Sequence, residues 1–389
     1  NLWDGSDSEY AQAMVDQFCE ENNCTIEVTV MSSNDFYTKM ATAGITGEGP
    51  DVAAFHVSSY IDDYKEAGII ESLTAACEKY GVEINFEDYV SDVADNAKID
   101  GEYYALPIDT ISRVIVYNKS LLEGTSALNE DGTLNLEESY DGFVAMCEAI
   151  KNEVPDAIAP VAFSPLNAQH VLNFLSFYDQ AADTPFFDNG EVTFDDTVAA
   201  QVLADFSNVY MNYCPAGISG NEDVDLFLNG QIPVIVTGTF NIGTMVDTMG
   251  DTIGMTYFPQ WYNDHSVTVN SHGLALCTDS ERSDAETELA VKFIQWWGDH
   301  EYEWAESGAL PSNITTYESE EFLSLPGRRD LVEAATYSRG LPKLPTGQIH
   351  STTEINTPIG AAVNGQETPE DAVAEVRAYC EKLFAEAAQ

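Results

Sequence analysis

Histidine, cysteine and carboxylate side chains carry most protein chemistry, yet their spacing in this sequence matches no catalytic motif. His300-Glu301 begins like the H-E-x-x-H helix of a zinc peptidase, but Trp304 stands where the second zinc-binding histidine must be. Phosphate-binding G-x-x-x-x-G-K-[ST], dinucleotide-binding G-x-G-x-x-G and nucleophile-bearing G-x-S-x-G segments are absent from the sequence. Among 66 Asp and Glu residues, a pair spaced like a glycosidase acid and base arises by chance. We therefore predict no catalytic residues, no metal site and no cofactor.

Seven cysteines are spread along the chain without a C-x-x-C pair, which argues against a zinc or redox motif. We expect most of them to be small core residues. Cys19 and Cys24 flank the end of a predicted helix, and whether they form a disulfide stays open. The seven are Cys19, Cys24, Cys77, Cys147, Cys214, Cys277 and Cys380.

The elements that must position any site alternate between helices and short apolar strands. Tyr10, Met14 and Phe18 recur four residues apart and predict an amphipathic helix. Residues 26–30 alternate apolar with polar side chains and predict a half-buried strand, and the apolar run 52–55 predicts a buried parallel strand. Further strands are predicted at 113–117, 233–237 and 253–258, and helices at 138–150, 198–211, 285–297 and 369–386. This alternation is typical of α/β layers.

Length and charge narrow the classes of protein and ligand. A chain of 389 residues is too long for one comfortable core and favours two or three domains. Fifteen basic against 66 acidic residues give a net charge of −51, which repels nucleic acids, anionic membranes and anionic ligands. Neutral or cationic ligands remain. No stretch approaches the ~20 consecutive apolar residues that span a bilayer.

Six segments in chain order carry a family resemblance. They are 46–52 (TGEGPDV), 67–73 (AGIIESL), 100–107 (DGEYYALP) followed by 116–122 (VYNKSLL), 227–238 (FLNGQIPVIVTG), 308–311 (GALP) and 364–372 (NGQETPEDA). Together they resemble the motifs of the extracellular sugar-binding proteins of bacterial ABC importers, the family that includes the maltose-binding protein. Each segment alone is a weak signal, whereas the ordered series spans nearly the whole chain.

The resemblance implies a two-lobed, type II periplasmic-binding-protein fold of the α/β class. Each lobe is expected to hold a mixed sheet flanked by helices, with the ligand in a cleft between the lobes and closure about a hinge. We place lobe 1 at residues 1–111 and 271–316, and lobe 2 at residues 112–270 and 317–389. No low-complexity tether separates them in the sequence.

The resemblance also implies where ligand-binding side chains lie. A sugar presents hydroxyls and an apolar face of C–H bonds, so its site needs flat aromatic rings and paired hydrogen-bonding groups. Phe240 stands where the family motif ends in Trp, and the aromatic that the family often has downstream of His350 is missing from 351–353. For the aromatic, histidine and aspartate candidates alike, a packing, capping or structural role remains the alternative. The candidates are Trp3, Asp4, Phe55, His56, Asp109, Phe240, Trp261, Tyr262, His272 and His350.

The function implied is capture of a neutral carbohydrate, an oligosaccharide, and its delivery to ABC permease subunits without chemistry. The alternatives are the same fold binding a polyamine or a metal, or a glycoside hydrolase with two carboxylates ~5–10 Å apart. We expect an extracellular monomer that is held to the cell surface through a lipidated cysteine preceding Asn1. We also expect that a leader has been removed from the sequence before Asn1. No nucleic-acid partner is expected.

Overall fold

The computed structural model describes residues 7–46 and 49–388. The helices are α1 Asp7–Asn22, α2 Ser33–Thr46, α3 Val57–Glu66, α4 Leu73–Tyr80, α5 Ser91–Asn96, α6 Lys119–Leu122, α7 Tyr140–Glu153, α8 Asn167–Ala181, α9 Asp196–Tyr213, α10 Glu222–Leu228, α11 Ile242–Met249, α12 Asp284–Asp299, α13 Glu301–Trp304, α14 Glu320–Ser324, α15 Ala334–Tyr337, α16 Thr353–Val363 and α17 Pro369–Ala387. Among the described residues, no helix is both long enough and apolar enough to cross a membrane.

The strands are short and lie mostly at the centre of the chain. They are β1 Val52–His56, β2 Lys98–Ile99, β3 Glu102–Tyr103, β4 Leu106–Pro107, β5 Arg113–Asn118, β6 Val161–Phe163, β7 Phe187–Asp188, β8 Glu191–Val192, β9 Val234–Gly238, β10 Ile253–Tyr257, β11 Val267–Val269, β12 His272–Leu276 and β13 Ser338–Gly340. The predicted strand at 26–30 is wrong: the structure has no strand there, and Val30 is 45% exposed. Alternation alone does not make a strand where no neighbouring strand can pair with it.

Local sequence fixes several helix ends. At α12, the Ser283 hydroxyl accepts from the Glu286 amide while the Glu286 carboxylate accepts from the Ser283 amide, forming a capping box. At α17, Thr368 caps the first turn and Pro369 occupies a position where its missing N–H costs nothing. These signals confirm the predicted starts of both helices within one or two residues.

The chain divides into two compact units: residues 1–111 with 269–325, and residues 112–268 with 326–389. The sequence assigned residues 269–270 and 317–325 to lobe 2, whereas they belong to unit 1. Tyr317 donates its hydroxyl to the Pro311 carbonyl, and its ring packs against Phe322, which is fully buried. These contacts hold α14 to the segment before it.

Unit 1 is built on a three-stranded sheet of order β1-β12-β4, in which β12 pairs antiparallel with both neighbours. The expectation that residues 52–55 form a parallel strand is therefore wrong, although the strand itself and its burial are confirmed. In the core of unit 1, Phe18 joins α1 to α12. Its ring meets the rings of Phe293 and Trp296 edge-on, with 5.1 and 5.6 Å between centroids. These contacts hold α1 against α12.

Unit 2 holds a mixed four-stranded sheet of order β10-β5-β9-β6. β5 is antiparallel to β10 and β9, and β6 runs parallel to β9. Every residue of β5 and β9 is buried, as expected of central strands. Against this sheet, α8 and α9 bury an aromatic core that includes Phe163, Phe177 and Phe206.

Helix α8 also buries His170, which is 0% exposed and packs edge-on against Phe206 and Tyr210. Burial lowers the pKa of His170 from 6.5 to about 4, although the Ser164 backbone opposes the shift. Between pH 6.5 and 4 the unfolded chain binds a proton at this position and the folded chain does not. Stability therefore falls as pH falls through that window, by up to ~1.4 kcal/mol per pH unit.

We expect His170→Leu to remove this acid sensitivity. On going from pH 7 to pH 5, the wild-type free energy of unfolding should fall by ~2 kcal/mol more than that of the variant. Urea denaturation at both pH values measures this, and contributions from other titrating groups cancel because only the pH dependence of the two proteins is compared. Parallel pH dependences would contradict the assignment.

Candidate functional site

Phe240 lies at the carboxyl end of β9, where the chain leaves the sheet of unit 2. β9 ends at Gly238, and residues 239–241 form a single 3-10 turn. A Cβ on Gly238 would collide with the Phe240 ring, so a larger residue at 238 would displace the ring from its present position against the backbone. Phe240 is 46% exposed, unusual for a large apolar ring, and this confirms that it is not a core residue.

The exposed ring borders a cavity of about 100 Å³, here called the Phe240 pocket. Its apolar wall is completed by Leu166, which is 42% exposed. The other lining residues, drawn from β5, β9 and the amino-terminal turns of α8 and α10 and the segments around them, are Arg113, Ser164, Gln169, Asn173, Asn221, Asp223, Val224, Val236, Thr237, Gly238 and Asn241. The pocket therefore combines an aromatic face with a dense set of amides and hydroxyls.

Three of the polar lining residues are almost completely buried: Arg113 (4% exposed), Asn173 (2%) and Asp223 (2%). The Asn173 carbonyl oxygen Oδ1 and the Arg113 Nε have no hydrogen-bond partner among the described residues. The Arg113 Nη2 atom donates to the Ser176 hydroxyl and to the Thr268 carbonyl. A buried polar atom without a partner costs ~1–3 kcal/mol, so both atoms carry an unmet demand for a hydrogen bond.

Burial raises the pKa of Asp223 from 3.8 to about 6, against the opposing effect of main-chain amides at 223 and 224. Burial likewise lowers the pKa of Arg113 to about 9. Each shift disfavours the charged form, because the surroundings solvate charge poorly. The pocket wall thus holds one basic and one acidic side chain whose charged forms are both disfavoured by burial.

His350 lies near Arg113 but does not line the Phe240 pocket. Burial, followed by the positive charge of Arg113, lowers its pKa to about 4, so it is neutral at pH 7. Its Nδ1 atom has no hydrogen-bond partner among the described residues.

In unit 1, His56 at the end of β1 and His272 at the start of β12 are paired across the sheet, and their ring centroids lie 4.8 Å apart. The Tyr37 hydroxyl lies 2.5 Å from His56 Nδ1 and also accepts from the His56 amide. Tyr60 stacks on Tyr37 with centroids 3.7 Å apart. Burial raises the pKa of the Tyr37 hydroxyl still further above neutrality.

Asp109 anchors the other side of this group. It is 2% exposed and accepts from the His272 amide at 2.7 Å and from the Trp304 indole N–H at 3.0 Å, and its carboxylate meets His272 Nδ1 at 2.8 Å. Asp7, at the start of α1, lies close enough to interact with both His272 and Asp109, and burial raises its pKa to about 6. We call Asp7, Tyr37, His56, Tyr60, Asp109 and His272 the unit 1 polar cluster.

The structure therefore brings together three residues that the sequence singled out in unit 1, His56, Asp109 and His272, and places Phe240 on a pocket in unit 2. The sequence missed Asp7, Tyr37 and Tyr60. It also missed the buried polar residues of the Phe240 pocket. Trp3 and Asp4 lie outside the described residues.

Two of the aromatic candidates lie in the core. Phe55 is 0% exposed and packs on Tyr64 with centroids 5.2 Å apart, so it does not face a ligand. Trp261 is 3% exposed and stacks on Phe177 at 3.7 Å, so it is a core residue of unit 2 and not an exposed sugar platform. Both side chains are used for packing: Phe55 lies inside the buried strand β1, and Trp261 lies in the segment that follows β10.

Tyr262, the neighbour of Trp261, is half-buried and donates its hydroxyl to Asp205 on α9 at 2.8 Å. Burial, with the negative charge of Asp205 next in importance, raises its pKa. It does not line the Phe240 pocket. These contacts favour the structural alternative for this residue.

The family model described as bacterial extracellular solute-binding protein matches residues 4–304 of the chain. The chain belongs to this family. A curated relative of this solute-binding protein is the maltotriose-binding protein of Pyrococcus abyssi (strain GE5 / Orsay), 22% identical over 287 residues. That alignment covers 70% of the chain and 56% of the relative, so the chain matches little more than half of that protein's length.

Solved structures resemble this solute-binding protein over nearly its whole length. The maltose-bound MalE3 of T. maritima has a TM-score of 0.78 at 19% identity and covers 98% of this chain and 97% of its own. UgpB of Mycobacterium tuberculosis, solved with glycerophosphocholine, has a TM-score of 0.77 at 14% identity, covering 98% and 96%. Such similarity confirms the predicted two-lobed α/β fold class, and the family match confirms the resemblance noted in the sequence.

Proposed function

We propose that this solute-binding protein captures a neutral oligosaccharide at the Phe240 pocket and releases it unchanged to the permease subunits of an ABC importer. The observation that carries the proposal is the exposed Phe240 ring beside buried polar atoms that lack partners. A pocket for an apolar ligand would not bury Asn173, Asp223 and Arg113 at its wall, since each costs free energy unless something pairs with it.

A sugar ring matches this combination of groups. Its C–H face covers the exposed part of the Phe240 ring, and its hydroxyls can exchange hydrogen bonds with the polar side chains that line the pocket. Asp223 accepts from hydroxyls when ionised and donates when protonated, and with a pKa of about 6 it can do either near neutral pH. The amides of Gln169, Asn221 and Asn241 supply further donors and acceptors around the pocket.

The relatives support the same ligand class. One is a maltotriose-binding protein and one was solved with maltose, which are linear glucose oligomers. Glycerophosphocholine in a third shows that the fold also takes other small solutes, so the argument for a sugar depends on the pocket.

The unit 1 polar cluster offers a second set of groups that a sugar needs: the Tyr37–Tyr60 stack, the two facing histidine rings and the Asp7 carboxyl. We propose that His56 and His272 contact ligand hydroxyls, while Tyr37 and Asp109 hold the rings in position. Under this proposal the role of Asp109 is to orient His272 and not to touch the sugar, because its carboxylate is already occupied.

Other ligand classes fit the pocket less well. A polyamine site needs several carboxylates around an aromatic box. A glycosidase needs two carboxylates ~5–10 Å apart. The residues that line the Phe240 pocket include one carboxylate, Asp223, with the guanidinium of Arg113 on the same pocket wall. We therefore propose binding without catalysis. The family match supports a location outside the cell, and we propose in addition that the protein is a monomer held at the cell surface through a lipidated N-terminal cysteine.

The proposal predicts selective stabilisation by neutral glycans. In a thermal-shift series with maltose, maltotriose and longer α-glucans, the melting temperature should rise with ligand concentration, since a ligand at 100 times its Kd stabilises by ~2.7 kcal/mol. Spermidine, divalent metal ions and glycerophosphocholine are the controls and should cause no such rise. Chromatography after long incubation should recover the glycan intact. Stabilisation by spermidine alone, or the appearance of shorter glycans, would overturn the proposal.

A further inference from the structure

Two cysteines meet at the carboxyl end of α1, in a helix-capping geometry that the binding function does not use. α1 ends at Asn22, and Asn23 adopts the left-handed conformation with φ of 49°. The Cys24 amide donates to the Cys19 carbonyl at 3.1 Å. A left-handed residue followed by this 6→1 hydrogen bond is the Schellman arrangement, in which the side chains at the two bonded positions contact each other.

The contact is present in the structure. Both cysteines are half-buried and pack against the core of unit 1, and the Cys24 thiol interacts directly with the Cys19 thiol. The backbone hydrogen bond of 3.1 Å keeps the main chains of the two cysteines adjacent, and a disulfide needs such proximity because it spans roughly 4.4–6.8 Å between Cα atoms. Closing the bridge therefore needs side-chain rotation and no movement of the helix.

The other cysteines are placed differently. Cys77, Cys147, Cys277 and Cys380 are buried, which limits access of an oxidant. Cys214 is half-buried, and it lies close enough to the buried Cys147 for the two thiols to interact electrostatically. The protein belongs to an extracellular family, and disulfides form and persist outside the cell.

We propose that Cys19 and Cys24 form a disulfide that locks the carboxyl end of α1. In the reaction, one thiolate attacks a small-molecule or protein disulfide and releases one thiol. The second cysteine thiolate then attacks the mixed disulfide and releases the other thiol. The oxidant gains two electrons, and the two protons from the cysteines pass to its two sulfurs. The bridge would hold the turn that follows Phe18, whose ring packs α1 against α12.

Peptide mapping tests the bridge on the full chain. The protein is incubated with oxidised and reduced glutathione, alkylated without reduction and cleaved with trypsin. The first lysine is Lys39 and no arginine precedes it, so both cysteines fall in the peptide 1–39, which contains no other cysteine. This peptide should carry no alkyl group and should lack two hydrogen atoms. Cleavage after Glu20 or Glu21 by a glutamate-specific protease should then give two peptides that separate only on reduction.

Thiol counting supplies the matched controls. Titration of the denatured wild type should fall from seven thiols to five on oxidation. Cys24→Ser should retain six thiols, or five with one glutathione attached at Cys19, while Cys214→Ser should fall from six to four. The oxidised wild type should also melt at a higher temperature than the reduced form, and Cys24→Ser should show no difference between the two conditions. Seven free thiols in the oxidised wild type, or a link between Cys147 and Cys214 instead, would overturn the proposal.

Discussion

Phe240→Ala should weaken oligosaccharide binding by about 3- to 10-fold and leave the fold intact. Burying a whole phenylalanine side chain contributes ~1.5–3 kcal/mol, so covering the 46% of Phe240 that is exposed contributes about half of that, and each 1.4 kcal/mol is a tenfold change in Kd. Because 46% of Phe240 is already exposed, the unliganded protein loses little core packing when the ring is removed. Isothermal titration calorimetry gives the Kd, and urea denaturation gives the free energy of unfolding.

Two variants separate loss of the sugar platform from general loss of surface apolarity. Phe240→Trp restores the residue that ends the family motif and should keep or strengthen binding. Ile158→Ala removes another exposed apolar side chain of unit 2, 56% exposed and away from the Phe240 pocket, and should leave the Kd unchanged. Equal affinities for wild type and Phe240→Ala would mean that the pocket is not the binding site.

The elements of the fold were largely predictable because their signals are local. The buried strands at 113–117 and 233–237, the helix from 285 and the helix from 369 each combine a hydrophobic pattern with an end signal, and each is confirmed to within about three residues. Strand direction was not predictable in the same way. β1 is apolar throughout, as a parallel strand would be, yet it pairs antiparallel with β12, some 220 residues later in the chain. Pairing over such a distance leaves no trace in local composition.

In the candidate site, too, the residue with a local sequence signal was predictable and the residues brought together by the fold were not. Phe240 was found because a motif marks its position, whereas Asn173 and Asp223 lie in helices whose polar residues have ordinary explanations. Asp223 follows Asn221-Glu222 at the start of α10, a pattern that predicts helix capping. The only signal in the sequence that could have indicated these pocket residues was the frequency of Asn and Gln side chains at the starts of helices that follow apolar strands. Which of those starts share one pocket is decided by the order of strands in the sheet.

Trp261 shows the converse error. A tryptophan beside Pro259 in a loop is typical of an exposed sugar platform, but here the chain turns inward and the ring fills the aromatic core beside Phe177. Sequence pattern gives the residue type at a loop and does not give the direction in which its side chain points. Phe55 was misplaced for a related reason, because a shift of one residue along β1 exchanges its two faces and brings His56 to the polar side.

Asp109→Ala should lower the free energy of unfolding by about 3–5 kcal/mol, a larger effect on stability than any substitution at the Phe240 pocket. The substitution removes the acceptor for the His272 amide, the His272 ring and the Trp304 indole at once, in a place where Asp109 is 2% exposed. Loss of a buried acceptor costs ~1–3 kcal/mol for each donor that must find another partner. Urea denaturation, followed by the fluorescence of the tryptophans, measures the change.

Asp109→Asn separates hydrogen bonding from packing, since the side chain keeps its size. Its oxygen can still accept from the His272 amide, and His272 can change tautomer so that Nδ1 accepts from the new NH₂ group. The Trp304 indole can only donate, so it faces a second donor, and the loss of stability should lie between those of wild type and Asp109→Ala.

The control for the pair is Asp284→Ala, which removes the acceptor of Lys79 at 2.7 Å and of the Tyr80 hydroxyl at 3.0 Å at a side chain that is 82% exposed, and it should change stability far less than Asp109→Ala. An Asp109→Ala variant no less stable than Asp284→Ala would show that the carboxylate does not hold His272 and Trp304 in place. Under the proposal that Asp109 orients His272 for the ligand, the same two variants should weaken oligosaccharide binding in the order of their effect on stability. A variant that bound normally while unfolding easily would separate the cluster from the binding site.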